Sequence, residues 1–153
     1  MGVLLMPTLP IRRAQLGDLP VLARLDQEAF GSEAYSEMTF RQFYEIAGPL
    51  LVVAVGGGNV VGYGLALPSV LPGEVWFMSL VVAPEWRRQG VGGALMAEIL
   101  RTYDSLPYSS IWLTTEPTNI AIRRLCKTFH FTEAEKNDDY FGPDRARLVM
   151  VRR

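Results

Sequence analysis

Apolar residues along this chain recur with two spacings, and the two spacings predict the elements of an α/β fold. Residues 50–55 are apolar throughout and predict a strand. Leu19, Leu22, Leu25 and Ala29 lie three or four residues apart and predict the buried side of a helix. The predicted strands are 11–13, 50–55, 60–67, 75–82, 110–115, 131–136 and 145–151. The predicted helices are 18–30, with Asp18 as N-cap, 40–46, 91–99 and 119–129, and residues 31–39 are expected to form a loop.

The order of these elements predicts one domain built on a mixed sheet. Three strands follow one another between residues 50 and 82, and the turn at residues 56–59 joins the first two, which favours an antiparallel meander. The strand, helix and strand between residues 75 and 115 indicate a parallel crossover. We therefore expect an α/β fold in a single domain over residues 1–153, with helices on both faces of the sheet.

Composition narrows the class of partner. The 153 residues are 49% hydrophobic and carry a net charge of −1, which gives no reason to expect nucleic acid or an acidic membrane as a partner. No segment approaches the ~20 apolar residues of a membrane span. One cysteine, Cys126, and one histidine, His130, make an intrachain disulfide impossible and a structural zinc site unexpected. We expect a metal-free cytoplasmic protein with no membrane contact.

A glycine-rich segment between a predicted strand and a predicted helix is the first indication of a ligand-binding site. Residues 87–93 read Arg-Arg-Gln-Gly-Val-Gly-Gly. The first amides of a helix have no intrahelical acceptor and bind phosphate oxygens, and glycine lets a phosphate approach closely. The segment does not match the Walker loop, which needs lysine, nor the dinucleotide fingerprint, which needs glycine where Leu95 stands. The alternative is that the glycines only allow close packing of the helix on the sheet.

The segment resembles the signature of the GNAT superfamily of N-acetyltransferases, which is Arg/Gln-x-x-Gly-x-Gly/Ala after a strand that ends in Val-x-Pro. Val82 and Pro84 match the end of the strand. Arg87, Gly90 and Gly92 match the loop. With the similar opening of the chain, the resemblance extends over nearly its whole length.

A second, weaker similarity lies on the predicted helix after the fifth strand. Asn119 and Phe131 match the first and last residues of the family pattern there, at the family spacing. Cys126 stands at the usual tyrosine and His130 at the usual glycine. We interpret His130 as a surface or packing residue.

The resemblance implies an enzyme that transfers an acetyl group from acetyl-CoA, its cosubstrate, to a primary amine. In the family, the loop binds the CoA pyrophosphate, while the end of the preceding strand and the asparagine bind the pantetheine arm. The implied cofactor site comprises Leu80, Val81, Val82, Arg87, Arg88, Gln89, Gly90, Val91, Gly92, Gly93 and Asn119. For Asn119 the interpretation as a helix N-cap is equally open.

The catalytic residues of the family pattern are only partly present. Trp76 stands where many relatives have a glutamate, and Glu74, two residues earlier on the same side of the strand, is the candidate base. Glu116, at the end of the fifth strand, is a second candidate. Cys126 is better explained as a core residue, so Tyr140 is the candidate acid. The ordinary alternatives are a strand-edge charge for Glu74, a loop charge for Glu116 and an aromatic lining for Tyr140.

The acceptor amine stays open at this stage. The departures from the family pattern favour an amine of low pKa, or proton transfer through water. A small molecule or an amino acid is the expected acceptor, a protein N-terminus or lysine is the alternative, and a non-catalytic CoA-binding module is a second alternative. Family members often form dimers, so a homodimer is a further expectation. The acceptor cleft is expected to be lined by Phe30, Tyr35, Phe40, Trp76, Trp112 and Tyr140.

Overall fold

The computed structural model describes residues 9–153, and its elements follow the predicted order of strands and helices. The strands are β1 Ile11–Arg13, β2 Leu51–Gly56, β3 Asn59–Pro68, β4 Glu74–Val82, β5 Ser110–Thr115, β6 Thr132–Asn137 and β7 Arg147–Arg152. The helices are α1 Leu19–Phe30, α2 Glu37–Ala47, α3 Val91–Asp104 and α4 Ile120–Thr128. Within residues 9–153, no helix combines the length and the apolar content needed to span a membrane.

The strands form a seven-stranded mixed sheet in the order β1-β2-β3-β4-β5-β7-β6. Strand β2 is antiparallel to β1 and β3, which confirms that the turn at residues 56–59 joins two antiparallel strands, and β3 neighbours β4 as the predicted meander requires. Strand β4 is parallel to β5, which confirms the crossover through α3. Strand β7 then pairs antiparallel with both β5 and β6. The predicted fold class is therefore confirmed.

The described residues divide into two compact units, and the first comprises those up to Leu67 together with Ser79–Ser105. In this unit helices cover both faces of the strands. A Cβ atom on Gly64 of β3 would lie 2.9 Å from Cδ1 of Ile99, so α3 packs closely on that face. Tyr63, the neighbour of Gly64, points to the opposite face, where its ring meets Phe40 of α2 edge to face at 5.3 Å.

The second unit comprises Pro68–Met78 and Leu106–Arg153. Strand register divides its side chains between two faces. Leu148 and Met150 of β7 line a groove together with α4, so α4 lies on their side of the strands. Trp112 of β5 pairs with Val151, which alternates with these residues and therefore lies on the face opposite α4.

The first helix differs from its predicted pattern at its start. Asp18 was expected to be the N-cap of α1, but its backbone is already helical and its side chain makes no capping bond to α1. Its carboxylate instead accepts the amide of Gln15 at 2.7 Å and pairs with the Arg12 guanidinium at 2.7 Å. The Arg12 hydrogen bond, more than that of Gln15, lowers the pKa of Asp18. Asp18 therefore closes the turn before α1 rather than capping the helix.

The buried side of α1 and the start of α2 also differ from prediction. Ala29 is exposed, whereas Asp26 is only 1% exposed and takes a place on the buried side. A short 3-10 turn and the first residues of α2 replace much of the loop predicted over 31–39. Ser36 is the N-cap of α2, because its hydroxyl accepts the Thr39 amide at 3.1 Å, so the helix starts at Glu37, three residues before Phe40.

Candidate active site

The glycine-rich segment forms a tight turn directly before α3, in the first unit. Gly90 is the N-cap, with φ of 80°, a left-handed conformation that glycine adopts at little cost. The first backbone hydrogen bond of the helix runs from the Ala94 amide to the Gly90 carbonyl at 3.0 Å. The amides of Val91, Gly92 and Gly93 precede this bond, and at a helix N-terminus such amides have no intrahelical acceptor. A Cβ atom built on Gly90 would meet nothing within 4 Å, so the turn is open on that side.

Two contacts anchor this turn to the strands of the first unit. The Arg87 Nε donates to the Val82 carbonyl at 3.1 Å, which closes the connection between β4 and the turn. The Trp86 ring packs on the end of β2, where a Cβ atom on Gly56 would lie 2.8 Å from Trp86 Cη2. No local sequence pattern indicates this second contact, because Gly56 and Trp86 are distant in the chain.

The residues predicted to bind the pantetheine arm lie at the end of β4 and before α4. Leu80, Val81 and Val82 are the last residues of β4, and the Val82 carbonyl is already occupied by Arg87. Asn119, in the second unit, is the N-cap of α4, and its Oδ1 accepts the Ile122 amide at 3.1 Å. The capping interpretation of Asn119 therefore holds, and its binding of the pantetheine arm stays a prediction.

Glu74 and Trp76 lie on one face of β4 in the second unit. The Trp76 Nε1 donates to the Glu74 Oε1 at 2.6 Å, so the indole fixes the carboxylate, and Oε2 has no partner in the described part of the chain. Trp76 pairs with Trp112 of β5, and the two rings stack at 5.8 Å between centroids. The guanidinium of Arg153 lies over the Trp112 ring at 5.5 Å. This face thus presents a carboxylate, two indoles and a cation in a row.

The remaining candidates for catalysis lie in other parts of the second unit. Glu116 is exposed and directly follows β5. Tyr140, in the β6–β7 connection, is 36% exposed and contacts Phe141 edge to face at 4.8 Å. Cys126 is fully buried, and burial raises the pKa of its thiol to about 11. His130 is exposed and has φ of 66°, which explains why glycine suits this position.

The aromatic residues predicted to line an acceptor cleft do not share one environment. Phe40 is 0% exposed and packs against Tyr35, Phe43 and Tyr63, so it belongs to the core and cannot line a cleft. Phe30 is 48% exposed at the end of α1. For the other predicted aromatics, the lining of an acceptor cleft stays a prediction.

A buried polar cluster in the first unit was missed by sequence reasoning. Asp26 accepts the Tyr35 amide at 2.7 Å and the hydroxyl of Tyr63. The Tyr63 hydroxyl also contacts the Ser79 Oγ of β4 at 2.8 Å. Burial, and then the Asp26 hydrogen bond, raise the pKa of Tyr63. A carboxylate inside the apolar spacing of α1 was the only signal of this cluster in the sequence.

A groove of about 590 Å³ lies beside α4 in the second unit. Its lining combines apolar side chains with charged side chains that are mainly cationic. It is lined by Ile120, Arg123, Arg124, Lys127, His130, Phe131, Thr132, Glu133, Leu148 and Met150. None of the residues predicted to bind acetyl-CoA or to act in catalysis is among them.

Comparison with known proteins decides the family. Residues 19–131 match the model of the Acetyltransferase (GNAT) family. The chain belongs to the GNAT acetyltransferase family. As a GNAT enzyme it is an acyl-CoA-dependent N-acetyltransferase with acetyl-CoA as cosubstrate, which confirms the family, the enzyme class and the cosubstrate expected from the sequence.

Several known proteins are similar to this chain in sequence or in fold. The [ribosomal protein bS18]-alanine N-acetyltransferase of Escherichia coli K12 is 25% identical over 124 residues, which is 81% of each chain. Ard1 of Thermoplasma volcanium has a similar fold, with a TM-score of 0.83, 22% identity and coverage of 94% of this chain and 95% of that one. Naa50 of Arabidopsis thaliana, solved with the bisubstrate analogue CoA-Ac-MVNAL, has a TM-score of 0.80, 19% identity and coverage of 96% and 99%.

Proposed function

We propose that this GNAT enzyme acetylates the α-amino group of a peptide or protein N-terminus. The observation that carries the proposal is the fixed carboxylate of Glu74, held by the Trp76 indole at 2.6 Å on the face of the stacked tryptophans. One carboxylate in this position is a modest base. An acceptor that loses its proton easily therefore suits it best.

The free energy of deprotonation separates the acceptor classes. Neutralising a lysine-type amine of pKa ~10.4 at pH 7 costs about 4.6 kcal/mol, whereas an α-amine of pKa ~8 costs about 1.4 kcal/mol. Support also comes from the similar protein of Escherichia coli, which acetylates an alanine of a ribosomal protein. A small-molecule or amino-acid acceptor, expected from the sequence, stays a prediction that the same experiment tests.

The turn before α3 suits the pyrophosphate of acetyl-CoA. The open side of Gly90, the amides of Val91, Gly92 and Gly93, and the exposed Arg88 side chain together offer donors and positive charge to an anion. Arg87 holds the turn through the Val82 carbonyl, and Gln89 does so through the Glu85 carbonyl at 3.2 Å. In this proposal Arg87 and Gln89 shape the site, whereas Arg88 and the three amides contact the phosphates.

The other residues have defined tasks in the same reaction. The amine nitrogen attacks the thioester carbon, its proton passes to the Glu74 Oε2 directly or through water, and the C–S bond breaks. Tyr140, which is partly exposed, is the candidate that returns a proton to the leaving thiolate. Glu116 is the alternative base. The Cys126 thiol, fully buried with a raised pKa, takes no part in proton transfer.

A pair of peptides tests the acceptor class. One has a free α-amine and no lysine, and the other has a blocked N-terminus and one internal lysine. Because the two amines differ by about 2.4 pKa units, we expect kcat/KM at pH 7 to be about 100-fold higher for the free α-amine. Mass spectrometry locates the acetyl group. Free amino acids and other small primary amines are assayed beside the two peptides. Equal acetylation of the internal lysine, or turnover of the small amines alone, would contradict the proposal.

A further inference from the structure

The groove beside α4 carries positive charge on a chain that is slightly acidic overall. Arg123, Arg124 and Lys127 of α4 line it. Glu133 is the one carboxylate among the described residues of its lining. The whole chain, in contrast, has a net charge of −1. The groove is therefore a local cationic surface, which attracts a ligand that carries carboxylates or phosphates.

Two of these cations are available to a ligand. The side chains of Arg124 and Lys127 are exposed and form no ion pair or hydrogen bond with the part of the chain that the structure describes. Arg123 differs, because its Nη1 donates to the Pro117 carbonyl at 3.0 Å, which holds this guanidinium near the start of α4. Arg124 and Lys127 are therefore the cations that can turn toward a bound anion.

Apolar side chains line the same groove. Leu148 and Phe131 are buried at 4% and 5% exposure, whereas Met150 is partly exposed. Ile120, the first residue of α4, is 56% exposed. Burial of such apolar surface against a ligand is favourable, and here it lies beside unpaired cations. The groove thus suits a ligand that combines apolar groups with negative charge.

The lining favours a peptide over a nucleic acid or an enclosed small molecule. Seven of the ten lining residues are exposed, so the site is a surface groove rather than an enclosed cavity. Single-stranded nucleic acids bind through phosphates and through bases that stack on aromatic rings. Phe131 is the one phenylalanine, tyrosine or tryptophan in the described lining, and it is buried. A peptide with acidic and apolar side chains matches both parts of the lining.

We propose that the groove beside α4 is a docking site for an acidic, leucine-rich peptide segment of a partner protein. Arg124 and Lys127 bind the carboxylates of the segment. Ile120 and Met150 pack against its apolar side chains. The site goes beyond the acetyl transfer proposed above, because none of the residues assigned to the cosubstrate or to catalysis lines the groove. It recruits a protein without taking part in the chemistry.

Fluorescence anisotropy with N-acetylated peptides, labelled at the C-terminus, tests the docking site. The main probe alternates glutamate and leucine, and two matched probes carry arginine for glutamate or serine for leucine. None has a primary amine, so the result is independent of the acceptor class. We expect the glutamate–leucine probe to bind at least about tenfold tighter than either matched probe, and added salt to weaken its binding. Equal binding of the three, or no saturable binding up to about 1 mM, would overturn the proposal.

Substitutions in α4 assign the binding to the groove. Arg124→Glu and Lys127→Glu are each expected to weaken binding of the glutamate–leucine probe at least about fivefold, because an attraction becomes a repulsion. Ile120→Ser is expected to weaken it about threefold or more. Arg24→Glu, at an exposed position of α1 in the first unit, is the matched control and is expected to bind normally. Melting temperatures near that of the wild type show that the variants fold, and unchanged affinity in both charge reversals would overturn the proposal.

Further measurements separate this occupant from others. Oligothymidylate that binds more tightly than the peptide and is also weakened by Arg124→Glu would contradict the proposal in favour of a nucleic acid. A dimer in sedimentation that dissociates in Arg124→Glu, and with which the peptide does not compete, would name a second copy instead. Excess acetyl-CoA is expected to leave peptide binding unchanged, and displacement of the peptide would overturn the separate site. The acetylation panel for the acceptor is read independently, so each proposal can fail alone.

Discussion

At the scale of single residues, the two carboxylate oxygens of Glu74 differ in their hydrogen-bond partners. Oε1 is occupied by the Trp76 indole, and Oε2 has no partner among residues 9–153. The indole N–H fixes the orientation of the carboxylate. In the proposed reaction, Trp76 therefore supports the carboxylate that acts as the base.

Glu74→Gln tests this assignment. A positioned general base contributes about 10²–10⁴-fold, so we expect kcat to fall by at least about 100-fold while KM for acetyl-CoA changes little. Trp76→Phe, which keeps an aromatic ring but loses the N–H donor, is expected to lower kcat less than Glu74→Gln does. Glu133→Gln, an exposed carboxylate on β6, serves as control. If Glu116→Gln, and not Glu74→Gln, lowers kcat, the base is Glu116.

His130 gives a prediction about stability at the same scale. Its φ of 66° is costly for a residue with a Cβ atom, and it lies just after α4, where a left-handed residue is most often glycine. We expect His130→Gly to raise the free energy of unfolding by about 0.5–1 kcal/mol, measured as a higher urea midpoint with an unchanged slope. Lys127→Gly, inside α4, is expected to lower it by about 1 kcal/mol. A lower midpoint for His130→Gly would contradict the strain argument.

At the scale of elements, the turn before α3 depends on a contact that lies outside it. Trp86 packs on Gly56 at the end of β2, where even one added carbon atom would lie 2.8 Å from the ring. The position of the turn, and of the amides that follow it, is therefore set partly by a glycine in another strand.

Gly56→Ala tests this dependence. The added Cβ atom displaces Trp86, so we expect weaker binding of acetyl-CoA, by about tenfold, and a loss of about 1–3 kcal/mol in stability from overpacking. Calorimetric titration and urea unfolding measure the two effects. Trp86→Ala removes the ring, so Gly56→Ala is expected to add no further clash in that background. Full acetyl-CoA affinity in Gly56→Ala would show that the contact does not position the turn.

Most element boundaries could be predicted from the sequence, because they depend on local patterns. Strand β5 was predicted over the residues it occupies, and β4 within one residue of its start. The start of α2 was missed, since its capping Ser36 lies in a polar stretch typical of a loop. Asp18 is a residue type that is common at N-caps, but it forms a salt bridge with Arg12. The rules that predict helix starts do not consider such a partner.

At the scale of the whole molecule, the candidate site could be predicted only where its residues are adjacent in the sequence. Residues 87–93 form the predicted turn because strand end, glycines and helix start adjoin one another. The Asp26 cluster joins residues 37 positions apart, Asp26 and Tyr63, so spacing within α1 could not reveal it. The hydrogen bond between Glu74 and Trp76, in contrast, follows from strand alternation, which places both on one face.

The central question for the molecule is whether the start of α3 binds the diphosphate of acetyl-CoA, and Gly92→Asp answers it most directly. An aspartate in the first turn of a helix favours the helix dipole, so the melting temperature is expected to stay at or above that of the wild type. The same charge opposes the pyrophosphate, so titration calorimetry is expected to show acetyl-CoA binding weakened by at least about 100-fold. Ala97→Asp, exposed on the same helix, controls for added charge and is expected to bind normally. A stable Gly92→Asp protein with wild-type affinity for acetyl-CoA would contradict the placement of the cosubstrate at this turn.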